Sequence, residues 1–124
     1  MKASLNIVKK WEYLFNKNDI SIIDTYANNG ILIGTFAIAI KKGRETIKPY
    51  FEGLFKKQNL RVKFDKDVFV NELDEAYIVS GFYEFSYDED GERKKANARY
   101  SYVVQNVNGK MLIVNHHSSE IPNQ

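Results

Sequence analysis

At 124 residues, 44% of them apolar and 14% aromatic, the chain is long enough for one domain with its own hydrophobic core, spanning residues 1–124. Its 18 basic and 16 acidic residues leave a formal charge of +2, too balanced to point to nucleic acid or a membrane surface as a partner. The absence of cysteine excludes disulfides, thiolate catalysis and cysteine-ligated zinc, and fits a reducing, cytoplasmic setting.

Leu5, Val8, Trp11 and Phe15 recur at three-to-four spacing, with Lys9, Lys10 and Glu12 off that stripe. The pattern predicts an amphipathic helix with Ser4 as its N-cap. Lys9 and Lys10 also interrupt any apolar run of signal-peptide type. Asn18-Asp19 breaks the period, and Asp19 or Ser21 is placed to cap a short second helix carrying Ile22, Ile23 and Tyr26. Asn28-Asn29-Gly30 is expected to end it, because these residues tolerate left-handed backbone. The run GILIGTFAIAI is rich in Ile and interrupted by Gly34; it reads as one strand or two short ones and is too short to span a bilayer. After Gly43, the positions Ile47, Phe51, Leu54 and Phe55 predict a third helix, with Pro49 inside it removing a backbone donor and starting or kinking it locally.

The remainder reads as antiparallel sheet. Residues 60–70 form a strand and residues 71–75 a turn. Over residues 76–87, Tyr77, Val79, Gly81, Tyr83 and Phe85 alternate with Ile78, Ser80, Phe82 and Glu84. Asp90-Gly91 and Asn108-Gly109 are hairpin signals that bound a long strand over 94–107 and a last strand over 111–119. Helices followed by a run of strands make an α+β protein. A helix lying across a strongly bent sheet buries both apolar faces, and Gly81 among aromatics helps that sheet to curl.

The two histidines, His116 and His117, are adjacent in the last strand. Neighbouring strand residues point to opposite faces, so the pair does not converge on one metal ion, and no other His or Cys completes a zinc set. One of them faces inward; the residues leave open which. An inward histidine suits general-base work near neutral pH if a carboxylate holds its tautomer, and Asp65, Asp67, Glu72 and Glu84 lie on neighbouring strands. Arg99 stands in ANARYSYVV, where Arg99, Ser101 and Val103 alternate with Ala98, Tyr100, Tyr102 and Val104. Its planar fork suits a carboxylate in a cavity, or a surface glutamate if it points outward. Tyr77, Tyr83, Tyr87, Tyr100 and Tyr102 either line a pocket or pack a core. The basic clusters Lys41-Lys42 with Arg44, Lys56-Lys57 and Arg93-Lys94-Lys95 read as solvated faces. No phosphate loop, nucleophile elbow or metalloprotease helix is present, and no cofactor is indicated.

Taken together, TFAIAIKKGRETIKPYFEGLF, ARYSYVV and NGKMLIVNHHSSEIP resemble a bacterial, stand-alone relative of the calcium/calmodulin-dependent protein kinase II association domain, within the SnoaL-like, nuclear transport factor 2-like superfamily. The resemblance implies a cone, in which a curved antiparallel sheet of cystatin-like type wraps a long N-terminal helix and leaves a cavity. It also implies assembly through sheet surfaces, as a homodimer or higher homo-oligomer. Arg99 matches the arginine of the ARYSxV segment and His117 the later histidine of the kinase domain's last strand. The chain departs from the family at Met111, where Trp is usual, and at Gly34, where Pro is frequent.

The expected function is therefore a small-molecule binding and oligomerisation domain, with a carboxylate held by Arg99, His117, Tyr83 and Tyr102. Two alternatives stand beside it: a small isomerase or dehydratase using a pocket His or Tyr for proton transfer, and a purely structural oligomer whose cavity is filled by side chains.

Overall fold

The computed structural model describes residues 2–122. Helix α1 (Lys2–Asn16) buries Ser4, Val8, Trp11 and Phe15, one stripe at spacings of four, three and four. Ser4 is thus inside the helix on its core face, not at its N-cap, because a residue on this stripe points into the protein. The helix stops at Asn18, whose φ of 51° is left-handed. The Asn18 amide donates to Phe15 O and the Asp19 amide to Leu14 O, a Schellman closure in which Asn takes the place of the usual Gly. Asp19 then caps a 3-10 helix (Ile20–Thr25) by accepting from the Ser21 amide at 2.9 Å.

Asn28-Asn29-Gly30 does not end that helix; it lies within strand β1 (Tyr26–Ile33). The pairing of β1 shifts register between Tyr26 and Ile31, so these residues form an irregularity in a strand. Gly30 lets the backbones approach there, since a Cβ would sit 3.1 Å from Ala27 O and 3.2 Å from Ile113 O, tighter than an ordinary contact. The apolar run leaves strand geometry after Ile33, crosses residues 34–40 as a loop, and resumes only in the short β2 (Lys41–Lys42). Helix α2 (Arg44–Leu54) runs through Pro49, which faces solvent, and buries Ile47, Phe51 and Leu54.

Strands β3 (Gln58–Glu72), β4 (Ala76–Glu89), β5 (Glu92–Val107) and β6 (Lys110–Glu120) are sequential antiparallel neighbours. Both turns form where the sequence places them. Asp90-Gly91 and Asn108-Gly109 have φ near 54°, 77°, 53° and 91°, the positive pair that a two-residue hairpin turn demands. The sheet order is β2-β1-β6-β5-β4-β3, with β1 parallel to β6. Irregularities in β3 between Phe64 and Val68, and between Val103 and Val104 in the β5–β6 ladder, supply bends. Gly81 lets the Tyr100 ring cross β4, because a Cβ there would lie 2.7 Å from its hydroxyl. The sheet curves around α1, which touches β3, β4, β5 and β6. The fold is the expected α+β arrangement, a bent sheet over an N-terminal helix.

Candidate functional site

Trp11 is the hub of the interior. Its ring is 1% exposed and meets Phe15, Phe51, Phe64, Tyr83, Tyr102 and His116 at centroid distances from 5.0 to 6.4 Å. The indole N–H donates to the Tyr26 hydroxyl at 2.9 Å. That oxygen lies 2.8 Å from His116 Nδ1, and His116 Nε2 lies 3.1 Å from the Tyr83 hydroxyl. Trp11 can only donate, so Tyr26 accepts there. The ring donates from one nitrogen and accepts at the other, and each nitrogen is paired with a tyrosine hydroxyl that can take either part.

Tyr102 stacks on the imidazole, with centroids 3.9 Å apart and planes 16° from parallel. Burial, helped by neighbouring His117, lowers the His116 pKa from 6.5 to about 3, so the ring is neutral. Burial also raises Tyr26, Tyr83 and Tyr102 well above the usual phenol range, and pushes Tyr50 up to about 12 against a backbone hydrogen bond from Phe36. Every phenol here is a hydroxyl, and the interior carries no charge. The hydroxyls of Thr35 and Ser118 hydrogen-bond each other at the rim. Gly34 receives Tyr50, whose hydroxyl lies 2.6 Å from where a Cβ would stand. The space left among Trp11, Gly34, Tyr50, Tyr83, His116 and Ser118 is about 10 Å³, room for one water at most.

Of the four expected ligand-binding residues, Tyr83 and Tyr102 are in this interior, and Arg99 and His117 are not. Ala98, Tyr100, Tyr102 and Val104 are buried, so the alternation of β5 turns Arg99 outward. Its side chain is exposed, with Nε 3.4 Å from Ser119 Oγ. The expectation of a guanidinium inside the hollow is therefore corrected. His117 is exposed on the same outer face, and the inward histidine is His116. The carboxylates considered as its partners do not reach it; both ring nitrogens are taken by tyrosines. Trp11, Tyr26, Thr35, Tyr50 and Ser118 belong to the site and were not singled out from the sequence. Tyr26 was expected on the second helix with Ile22 and Ile23; it instead follows the 3-10 helix as the first residue of β1, and the strand sets its inward direction.

The outer face is ordered in rows. Ile33, His117, Ser101, Ser80 and Phe69 are successive cross-strand partners over five strands. Ser119, Arg99 and Phe82 form the next row, and Ile31, Asn115, Val103, Ile78 and Asn71 another. Ser80 and Ser101 hydrogen-bond at 3.0 Å. Phe69 is 60% and Phe82 45% exposed.

The family model for the calcium/calmodulin dependent protein kinase II association domain matches residues 5–122. The chain belongs to that family. Among solved structures, this association domain is similar to a protein assigned to the same domain from Xanthomonas campestris, with 30% identity over 94% of this chain and 84% of that one, at a TM-score of 0.84. It shares its fold with a nuclear transport factor 2-like protein from Salmonella enterica (16% identity, 96% and 89% covered, TM-score 0.82). The same holds for a cystatin-like protein of unknown function from Nostoc punctiforme (18%, 98% and 90%, 0.79). No curated protein sequence matches this chain. Among its described residues no helix is long and apolar enough to cross a membrane.

Proposed function

We propose that residues 1–124 act as one cytoplasmic domain that assembles with copies of itself, as a homodimer or higher homo-oligomer, through the outer face of the sheet. The observation that carries this reading is the composition of that face. A sheet face turned to water normally alternates charged and polar residues; here Ile31, Ile33, Phe69, Ile78, Phe82 and Val103 surround small hydroxyls. Membership of the association-domain family supports the same role. The tightly filled interior favours the structural version of the reading over a ligand cavity at the centre of the cone. It also disfavours proton-transfer catalysis, because His116 offers no free nitrogen and no carboxylate is bonded to it.

Light scattering after size exclusion tests the assembly. The wild-type mass is expected at a multiple of 14.4 kDa. Phe82→Glu, which sets a charge on an already exposed site, is expected to give the monomer mass with unchanged circular dichroism. A wild-type monomer at tens of micromolar rejects the reading.

One observation favours a second role. Arg99 and His117 flank a shallow depression of about 430 Å³ on the outer face, with Phe69, Phe82, Ser101 and Ser119. The arginine has no ion-pair partner among the described residues. A small carboxylate fits this chemistry, as a bidentate partner of the guanidinium. Arg99→Ala is expected to weaken such binding by about tenfold or more, read by calorimetry with acetate or a short dicarboxylate. Equal affinity in the variant removes Arg99 from the site.

A further inference from the structure

A second concentration of charge lies away from the outer face, where α1, the 3-10 helix, the start of α2 and the start of β6 converge. A notch of about 480 Å³ is lined there by Lys10, Asp24, Arg44 and Lys110 over an apolar floor of Ile7, Met111 and Leu112. Read from sequence as a surface residue, Arg44 is half-buried, and its Nε donates to the Tyr26 carbonyl at 2.8 Å. That bond fixes the plane of the guanidinium and leaves its two terminal nitrogens with no partner among the described residues. Lys10, Lys110 and Asp24 likewise form no ion pair; the three ion pairs among the described residues all lie around the β4–β5 hairpin. The three cations come from three separate elements, so the tertiary fold, not a local run of lysines, brings them to one concavity.

Three cations and one carboxylate leave the notch with two positive charges. A monoanion would neutralise half of that, and a dianion all of it. A preset guanidinium fork with two flexible ammonium groups is a donor set suited to phosphate oxygens. The half-buried floor adds room for an apolar body next to the anion. The groove on the other side of α1 lacks this poise: there Arg61 Nη1 is spent on Leu60 O and Lys17 lies over the Tyr13 ring.

We propose that this notch is a binding site for a phosphate monoester, its dianionic phosphoryl group held by Arg44, Lys10 and Lys110 and its organic part lying on Ile7, Met111 and Leu112. The test is a titration of inorganic phosphate, then phenyl phosphate, into the full isotope-labelled chain at constant ionic strength. The amide signals of Ile7, Arg44 and Leu112 are followed. Saturable shifts confined to this end are expected, with phenyl phosphate binding more tightly than inorganic phosphate. The double variant Lys10→Gln/Lys110→Gln touches only exposed side chains and is expected to keep the spectrum of the folded chain while losing about tenfold or more in affinity. Arg44→Lys keeps the charge without the fork and is expected to bind more weakly than wild type. Shifts that do not saturate, that sodium chloride reproduces, or that persist unchanged in the double variant would overturn the site. Equal affinity for the two phosphates would overturn the role of the apolar floor.

Discussion

Trp11→Ala is expected to lower the unfolding free energy by ~3–5 kcal/mol, the range for removing a large aromatic from a packed core. Three features place it at the upper end. The ring is 1% exposed, it touches six aromatic neighbours drawn from α1, α2, β3, β4, β5 and β6, and its N–H begins the chain of bonds to His116. Against a total stability of about 5–15 kcal/mol for a domain of this kind, such a loss leaves a marginal fold. Trp11→Phe should recover most of it, since area returns and only the bond to Tyr26 is missing. Urea unfolding of the three proteins decides the matter; a loss below ~1 kcal/mol in Trp11→Ala would show that the interior is not organised around this ring.

Acid should destabilise the protein through His116 before most carboxylates titrate. The folded-state pKa is about 3 and the ordinary value is 6.5, so between these limits the unfolded chain binds a proton that the folded chain refuses. The associated stability is complete above about pH 6.5 and is lost as the pH falls toward 3, at up to ~1.4 kcal/mol per pH unit. The cause is the burial of the ring, which penalises its charged form, with His117 next to it adding to the shift. His116→Phe should be less stable at neutral pH, because Tyr26 and Tyr83 lose their partner, yet its stability should be nearly flat from pH 6.5 to 4.5. His117 is present in both proteins, so the difference between the two curves belongs to His116. Parallel curves over that window would assign the acid sensitivity elsewhere.

These two expectations describe an interior built for packing. The space between helix and sheet is occupied here by Trp11, Tyr26, Tyr83, Tyr102 and His116; hydrogen bonds join Trp11, Tyr26, His116 and Tyr83, while the buried Tyr102 hydroxyl has no partner among the described residues. The chemistry available to other molecules is displaced to the outside, to an apolar, hydroxyl-rich sheet face and to the cationic notch at the end of α1. An association domain with a closed interior and an outer face rich in apolar and small hydroxyl side chains is consistent with that division.

Much of this was written locally in the chain. The stripe Val8, Trp11, Phe15 carries its helix by spacing alone, and Asp90-Gly91 and Asn108-Gly109 specify two-residue turns because few residues tolerate positive φ in succession. The outward direction of Arg99 was legible too: Ala98, Tyr100, Tyr102 and Val104 form the apolar side of an unbroken alternation, and a residue between them must face the other way. The direction of the histidines was not. Counting back from the Asn108-Gly109 turn pairs Val107 with Lys110 and Val104 with Ile113, and a regular ladder would continue to set His117 opposite Tyr100, inside the cone. In the fold, Val103 pairs with Asn115, so Val114 is an extra residue on β6, and His116 comes to face Tyr102. One inserted residue exchanges the two faces of everything beyond it. No side chain near Val114 announces the bulge; it is set by the curvature of the sheet around α1 and by the bonds His116 gains from Tyr26 and Tyr83, contacts 90 and 33 residues away in sequence. Local spacing thus determined α1, α2 and the hairpin-linked strands with their faces up to that point, while the closure of the sheet over its helix decided that residues 28–30 belong to β1, which histidine is inside, that the interior is full, and that Arg44 shares a notch with Lys10 and Lys110.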